Sequence, residues 1–343
     1  MVCFWQWFDQ QASLKRPYKL LYHVRKDNAH EIELFDVKSR RTFLKRTHYP
    51  SVALDDLFIG AKVTIYARQL HVQNYADDFT RRSLEKEQVR CCAVVSQAGI
   101  PRLGKAWARL NEAGLRLAKA KTVNFTAEDA AALFGRGGFG AGLAVVMELI
   151  GPDVSSRVTG CPGTSVLLPL THRGANPPHQ WLDAVFGPMD ARLPSATRPT
   201  ARLESCTSAV VLPHAIAKGV GGHVLDAVLG CGLEVTAMAL YDIDLPTAEE
   251  FYEVYKGVVP EYVDMARELS TTTLLAIEFC GEDAVGRLRE HAGPRDVDVA
   301  RRIRPDTVRA KFGLDPVRCA LHVTDLPEDG ALESEYWFSI LSA

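Results

Sequence analysis

Two short stretches place residues with possible chemistry at the ends of apolar runs. RCALHVTDLPEDG, at 318–330, carries His322, and SAVVLPHAIAKG, at 208–219, carries Leu212 in a comparable place. A neutral imidazole is a competent nucleophile near its own pKa. An isobutyl side chain, in contrast, can neither donate a hydrogen bond nor carry charge. One strand end is therefore suited to catalysis and the other is not.

The cysteines and the remaining histidines do not form a metal or redox motif. The eight cysteines are scattered, with Cys91 and Cys92 adjacent and no C-x-x-C pair. We therefore expect reduced, mostly buried thiols. Four other histidines lack the spacing and the companions of a metal site, namely His23, His30, His48 and His71. No metal centre is expected.

Length and composition predict a soluble protein of two or three domains. The chain has 343 residues, of which 47% are hydrophobic and 24% charged, a balance typical of core-forming proteins. The sequence contains no uninterrupted apolar run of the roughly 18 residues that a membrane helix needs, and its start lacks the features of a secretory signal. We expect a cytoplasmic protein without a membrane partner.

Charge is distributed unevenly along the chain. Residues 1–90 hold 16 Lys and Arg against 11 Asp and Glu, while the remainder holds 24 against 31. There is neither a recognition-helix pattern nor a dense basic cluster, so a nucleic-acid partner is not expected. The basic bias suits an acidic protein surface, although an ordinary solvated surface would have the same composition.

An internal repeat divides the rest of the chain. CCAVVSQ at 91–97 resembles CTSAVVLPHA at 206–215, and LAVVMELIG at 143–151 resembles LLAIEFCG at 274–281. Two further matches, of 110–134 with 228–255 and of 183–187 with 309–313, keep the same order along the chain, and the offsets of the four drift between about 116 and 130 residues. The repeat predicts two copies of one domain, at 89–203 and 204–343, behind a separate domain at 1–88.

Each copy has the pattern of a ferredoxin-like βαββαβ sandwich, which makes the fold class α/β (α+β). Gly114 and Gly232 are expected to close the first helix of their copies with a positive φ. Two capping boxes are predicted at the start of the next helix in each copy, formed by Thr126 with Asp129 and by Thr247 with Glu250.

Residues 14–85 alternate apolar and polar side chains, which predicts a small antiparallel β module. The preceding CFWQWFDQ is too short to be a domain and contains four aromatic residues that would be costly to expose. This aromatic N-terminal tail either folds back on its own protein or docks on a partner.

The second copy resembles nucleoside diphosphate kinases through Pro213, FYEVYKGV, RPDTVRAKFG and RCALHVTD with ESEYWF, in that order. The tandem arrangement is similar to an axonemal type of that family. The first module resembles the DM10 domain, a small PH-like barrel of ciliary microtubule proteins. The likeness is strong in the second copy and weaker in the first.

The resemblance implies a role for six residues of the second copy. In that family a histidine takes the γ-phosphate of a nucleoside triphosphate and passes it to a diphosphate. His322 matches this nucleophile and Glu333 its orienting glutamate. The matching phosphate- or nucleotide-binding positions are Tyr252, Arg289, Arg309 and Thr324.

Three positions depart from the family pattern. Leu212 replaces a phosphate-binding lysine, Cys319 replaces a sugar-contacting asparagine, and Pro260 stands at or beside the aromatic residue that stacks on the base. In the first copy, Ser96 replaces the lysine and Ala196 the histidine, so we expect a pseudoenzyme there.

Two functions of different class follow. The favoured one is a structural protein of the cilium or flagellum, located in the cytoskeleton of the axoneme. Its partners would be tubulin of the doublet microtubule and neighbouring axonemal proteins. The alternative is an active or weakly autophosphorylating kinase that uses His322 and ATP or another nucleoside triphosphate with Mg²⁺. Without activity, no cofactor is expected.

Overall fold

The computed structural model describes residues 2–9, 14–24, 30–50, 52, 54, 57, 61–66, 68–81, 89–134, 140–161, 167–170, 178–187 and 191–342. It divides into two compact units, Met1–Gln88 and Val89–Ala343. Within the described residues, no helix is long and apolar enough to cross a membrane.

The first unit is an antiparallel β module. Its six strands lie in the order β4-β3-β2-β1-β6-β5. Alternate residues of β3 are buried, because successive side chains of a strand point to opposite faces. The strands are Val2–Asp9 (β1), Leu14–Val24 (β2), His30–Asp36 (β3), Arg41–His48 (β4), Lys62–Ile65 (β5) and Arg68–Tyr75 (β6). The small β module is confirmed, while its likeness to a DM10 domain stays a prediction.

The segment expected to be an N-terminal tail is a central strand. β1 pairs with β2 from Val2↔Leu21 to Asp9↔Leu14, and with β6 from Cys3↔Tyr75 to Trp7↔Leu70. Its backbone groups are thus satisfied by two neighbours within the module. Of the two alternatives, the structure shows the first, because the segment folds back on its own protein as a strand paired on both edges.

The second unit contains one eight-stranded sheet in the order β10-β7-β9-β8-β12-β13-β11-β14. Its strands are Val89–Ser96 (β7), Arg116–Phe125 (β8), Gly142–Gly151 (β9), Leu167–Leu170 (β10), Cys206–Val211 (β11), Glu234–Tyr241 (β12), Leu274–Cys280 (β13) and Leu321–Val323 (β14). Each half has the ferredoxin-like strand order, in which the first strand lies between the third and the fourth. The predicted fold class is confirmed.

Thirteen α-helices lie among the described residues of this unit. They are Leu103–Glu112 (α1), Ala127–Phe134 (α2), Val154–Gly160 (α3), Pro178–Phe186 (α4), Pro194–Thr197 (α5), Pro213–Ala217 (α6), Gly221–Leu229 (α7), Leu245–Phe251 (α8), Tyr262–Leu269 (α9), Ala284–Ala292 (α10), Val297–Ile303 (α11), Val308–Phe312 (α12) and Asp329–Glu335 (α13). A 3₁₀ turn at Gln97–Arg102 precedes α1, another at Glu253–Tyr255 follows α8, and a π-helical turn at Tyr336–Ile340 ends the fold.

The two copies are joined through their second strands. β8 and β12 pair antiparallel at Lys121↔Ala239. The Thr122 hydroxyl accepts a hydrogen bond from the Met238 amide at 3.0 Å. One apolar cluster contains buried residues of both copies, so apolar surface is shared between them, which stabilises their association.

Three of the four predictions made for helix ends were correct. Gly114 and Gly232 have φ of 75° and 74°, and the Asp129 amide donates to the Thr126 hydroxyl at 3.1 Å. The box at Thr247 was wrong. The N-cap of α8 is Asp244, whose carboxylate accepts from the Thr247 amide at 3.1 Å. The helix starts earlier because an aspartate N-cap stands directly before Leu245 and a proline, which favours the first helical turn.

Candidate active site

His322 lies on β14, the short last strand of the sheet. β14 pairs antiparallel with β11, with Val210 opposite His322. All three residues of β14 are buried, and His322 is only 6% exposed. A buried polar side chain needs a hydrogen-bond partner, so the neighbours of the imidazole decide its role.

Glu333 of α13 connects the imidazole to a neighbouring hydroxyl. Its Oε2 lies 3.1 Å from Nε2 of His322 and accepts a hydrogen bond from the Thr324 hydroxyl at 3.0 Å. Thr324 is in turn bound by the Ser208 amide at 3.1 Å. A carboxylate oxygen accepts hydrogen bonds, so this contact assigns the donor role to Nε2, and in a neutral imidazole Nδ1 is then the nitrogen with the lone pair. The sequence-predicted residues His322, Glu333 and Thr324 therefore form one network, in which Glu333 contacts Nε2 and leaves Nδ1 on the other side of the ring.

Replacing Glu333 with alanine should lower the free energy of unfolding by about 1–3 kcal/mol, since two buried polar groups lose their shared acceptor. Urea denaturation of the purified protein measures this change. Glu335→Ala is the matched control, because Glu335 lies two residues away on the same helix and is exposed. Equal stability of the two variants would show that Glu333 does not support the network.

Three aromatic rings surround the imidazole. The ring centroids of Phe251, Tyr252 and Tyr255 lie 5.2, 5.5 and 6.3 Å from that of His322, each in an edge-to-face arrangement. Burial raises the pKa of Tyr252 well above its usual value. Burial, and secondly a hydrogen bond to Asp325, also raise the pKa of Tyr255. Both tyrosines therefore stay neutral near pH 7 and keep a hydroxyl proton to donate.

A cleft opens beside the histidine. The residues that line the cleft are of two kinds, polar and apolar. The polar group contains His322, Tyr252, Tyr255, Arg295, Arg309 and Asp325, and the apolar group contains Leu212, Met265, Pro316, Val317, Cys319 and Val323. A mixed polar and apolar lining is common in small-molecule sites.

The two arginines predicted for the site differ in placement. Arg309 is 7% exposed and donates from Nε to the Leu321 carbonyl and from Nη1 to the Gly293 carbonyl, both at 2.9 Å. It is thus a fixed cation in the wall of the cleft. Arg289 is half exposed, and its Nε lies 3.9 Å from the Asp325 carboxylate. Its connection to the cleft runs through Asp325.

The three departures from the family pattern occupy different surroundings. Leu212 is 3% exposed and Cys319 6% exposed, and both belong to one buried apolar cluster. Pro260 is exposed. Lys218, the nearest cation in sequence after Leu212, is exposed at the end of α6 and is absent from the described lining of the cleft. The apolar wall is therefore built into the core.

Sequence reasoning missed Tyr255, Asp325, Arg295 and Met265 as cleft residues. Two of them had a local signal, because Tyr255 follows Tyr252 in FYEVYKGV and Asp325 follows Thr324 in HVTD. Arg295 and Met265 had none. They reach the cleft from the loop after α10 and from α9, and only the tertiary fold brings these elements together.

In the first copy, the positions expected to have lost their chemistry carry small residues. Ser96 ends β7, and Ala196 is fully buried in α5. Lys121 donates from Nζ to the Ala196 carbonyl at 2.7 Å, and burial lowers the pKa of that lysine to about 8. The position of the expected histidine in the first copy is therefore part of the packed interior.

Metal ligands are not grouped in the described part of the chain. There, no group of three or more His, Cys, Asp or Glu side chains could hold a metal ion.

Comparison with known proteins places the cleft in a family. The model of the family "Nucleoside diphosphate kinase" matches residues 205–341. "Nucleoside diphosphate kinase homolog 7" of Rattus norvegicus is 34% identical over an alignment of 366 residues that covers 98% of this chain and 92% of the relative. The Mus musculus protein of the same name is 35% identical over 367 residues, with the same coverage.

A crystal structure of the Aquifex aeolicus nucleoside diphosphate kinase aligns with 40% of this chain and 97% of its own, at 33% identity and a TM-score of 0.38. The two mammalian relatives match almost the full length of the chain at more than 30% identity. The chain therefore belongs to the nucleoside diphosphate kinase family.

Proposed function

We propose that this protein is a structural component of ciliary or flagellar doublet microtubules, in which the kinase fold has lost most of its activity. The observation that carries the proposal is the apolar wall made by Leu212 and Cys319. Phosphoryl transfer depends on fixed donors around the transferring oxygens. Leu212 and Cys319 supply no such donor where the family pattern has a lysine and an asparagine, so part of that charge is left unmatched despite Arg309.

The β module provides a surface for an acidic partner such as tubulin. Three exposed basic residues lie on or beside β4, an edge strand of the sheet, namely Arg40, Arg41 and Lys45. Arg46 is bound to Glu31 at 2.6 Å and contributes less net charge. Exposed charges of one sign steer an oppositely charged partner into contact.

The proposed function is tested by two measurements on the purified chain. Phosphate transfer from ATP to a nucleoside diphosphate should stay at trace level, while the protein should sediment with microtubules. Turnover like that of an ordinary member of the family, without microtubule binding, would contradict the proposal.

Replacing Arg40 and Lys45 with glutamate should slow association with microtubules and make it less dependent on salt, because long-range attraction is screened by ions. Cosedimentation and association rates at two or more salt concentrations measure both effects. The matched control is Arg267→Glu with Arg302→Glu, an equal change in net charge at exposed positions of the second unit. Equal loss in both double variants would indicate a general charge effect rather than a site on β4.

A second function is favoured by the intact network at His322. The Nδ1 lone pair would attack the γ-phosphorus of ATP, forming a P–N bond as the P–O bond to the β-phosphate breaks and ADP leaves with that electron pair. Glu333 would hold the imidazole by Nε2 and stabilise its positive charge. Incubation with labelled ATP should then give an acid-labile label, which His322→Ala should remove.

A further inference from the structure

Arg295 is a cation that no sequence motif assigned to the cleft. It lines the same cavity as Leu212 and His322. Its guanidinium carbon lies 5.9 Å from the centre of the Tyr255 ring, and that ring is 6.3 Å from the imidazole. Arg295 and His322 therefore both neighbour one tyrosine.

The partners of Arg295 hold it weakly. It donates from Nη2 to Sδ of Met265, and a thioether is a poor acceptor. The Glu261 carboxylate lies 4.0 Å away, and both side chains are partly exposed, at 32% and 41%. An ion pair of this length and exposure contributes little. A phosphate group, which accepts two parallel hydrogen bonds from a guanidinium, would be a better partner.

The charge balance of the cleft also favours an anion. Its lining includes two arginines, Arg295 and Arg309, and one carboxylate, Asp325. The Tyr255 hydroxyl donates a hydrogen bond to that carboxylate at 2.6 Å and so uses part of its capacity to accept hydrogen bonds. Arg309 is fixed by backbone carbonyls, whereas Arg295 can adjust to a ligand.

We infer that Arg295 gives this cleft a phosphate-binding cation, so that the protein binds the diphosphate of a nucleoside diphosphate with little turnover. The inference deepens the proposed function and rests on it for the low turnover. A partly exposed arginine with weak partners can bind ground-state phosphates. Binding the substrate and the transition state equally, however, does not raise the rate. Affinity would come from Arg295, while the missing donor at Leu212 would limit catalysis.

The experiment titrates the full chain with ADP, pyrophosphate and adenosine by calorimetry. Arg295→Ala should weaken ADP and pyrophosphate binding about tenfold to a hundredfold, the range of one charge-assisted hydrogen-bond pair, and should leave adenosine binding unchanged. Arg267→Ala, an exposed arginine outside the cleft, should bind all three ligands as the unchanged protein does.

Arg295→Lys serves as the second variant, since it keeps the charge and loses the planar fork. It should show an intermediate loss. The inference is overturned if Arg295→Ala and Arg295→Lys bind ADP like the unchanged protein, or if that protein binds ADP no more tightly than adenosine. High turnover by the unchanged protein would contradict the proposed function instead, and would leave the role of Arg295 in binding intact.

Discussion

Replacing Leu212 with lysine should raise phosphate transfer through His322 by about 10²-fold. Removing one fixed donor from a site of this kind costs roughly 10² to 10³ in rate, and restoring one should recover a comparable factor. Leu212 is buried but lines the cleft, so a lysine stem can lie along the apolar wall while its ammonium group reaches the cavity. Steady-state transfer from ATP to a nucleoside diphosphate measures the gain.

Leu212→Met is the matched control, because it keeps a similar volume and adds no charge. It should leave the rate unchanged. The gain from lysine should vanish when His322→Ala is added. A lysine variant that folds but gains nothing would show that Cys319 or Pro260 also blocks the site, and that Leu212 is not the main cause of low activity.

Replacing Gly104 with valine should destabilise the second unit by about 3 kcal/mol or more, since overpacking against a fixed neighbour has no rotamer that relieves it. Gly104 lies on α1, and a Cβ built there would be 2.2 Å from the backbone nitrogen of Asp226 on α7. The reciprocal contact exists at Gly222 of α7, whose Cβ would be 2.4 Å from the Ala108 nitrogen on α1. These helices belong to different copies.

Urea denaturation of the second unit measures the loss. Gly160→Val is the control, because a Cβ at Gly160 would meet nothing within 4 Å. If both variants lose the same stability, the effect would come from backbone and helix propensity, and the close approach of α1 and α7 would not matter. A larger loss for Gly104 would show that glycine at this crossing holds the two copies together.

The repeat and its fold class could be predicted from sequence because both depend on local periodicity. Apolar runs bounded by glycine determine where strands and helices lie, and Gly114 and Gly232 adopt the positive φ that such ends require. The helix start at Asp244 was missed because two residues, Asp244 and Thr247, could each act as an N-cap. Which of the two residues is the N-cap depends on where the first helical turn begins, and the surrounding packing influences that position.

The sequence by itself determined His322, Glu333 and Thr324 as a candidate site, since their spacing follows a family pattern along one short stretch of chain. Tertiary structure decided what that pattern could not. Pairing with β2 and β6 made the aromatic N-terminal segment a central strand. Packing brought Arg295 and Met265 into the same cleft as Leu212. Contacts between residues far apart in sequence depend on how the helices pack on the sheet. The local periodicity of apolar residues does not predict which of these side chains will be in contact.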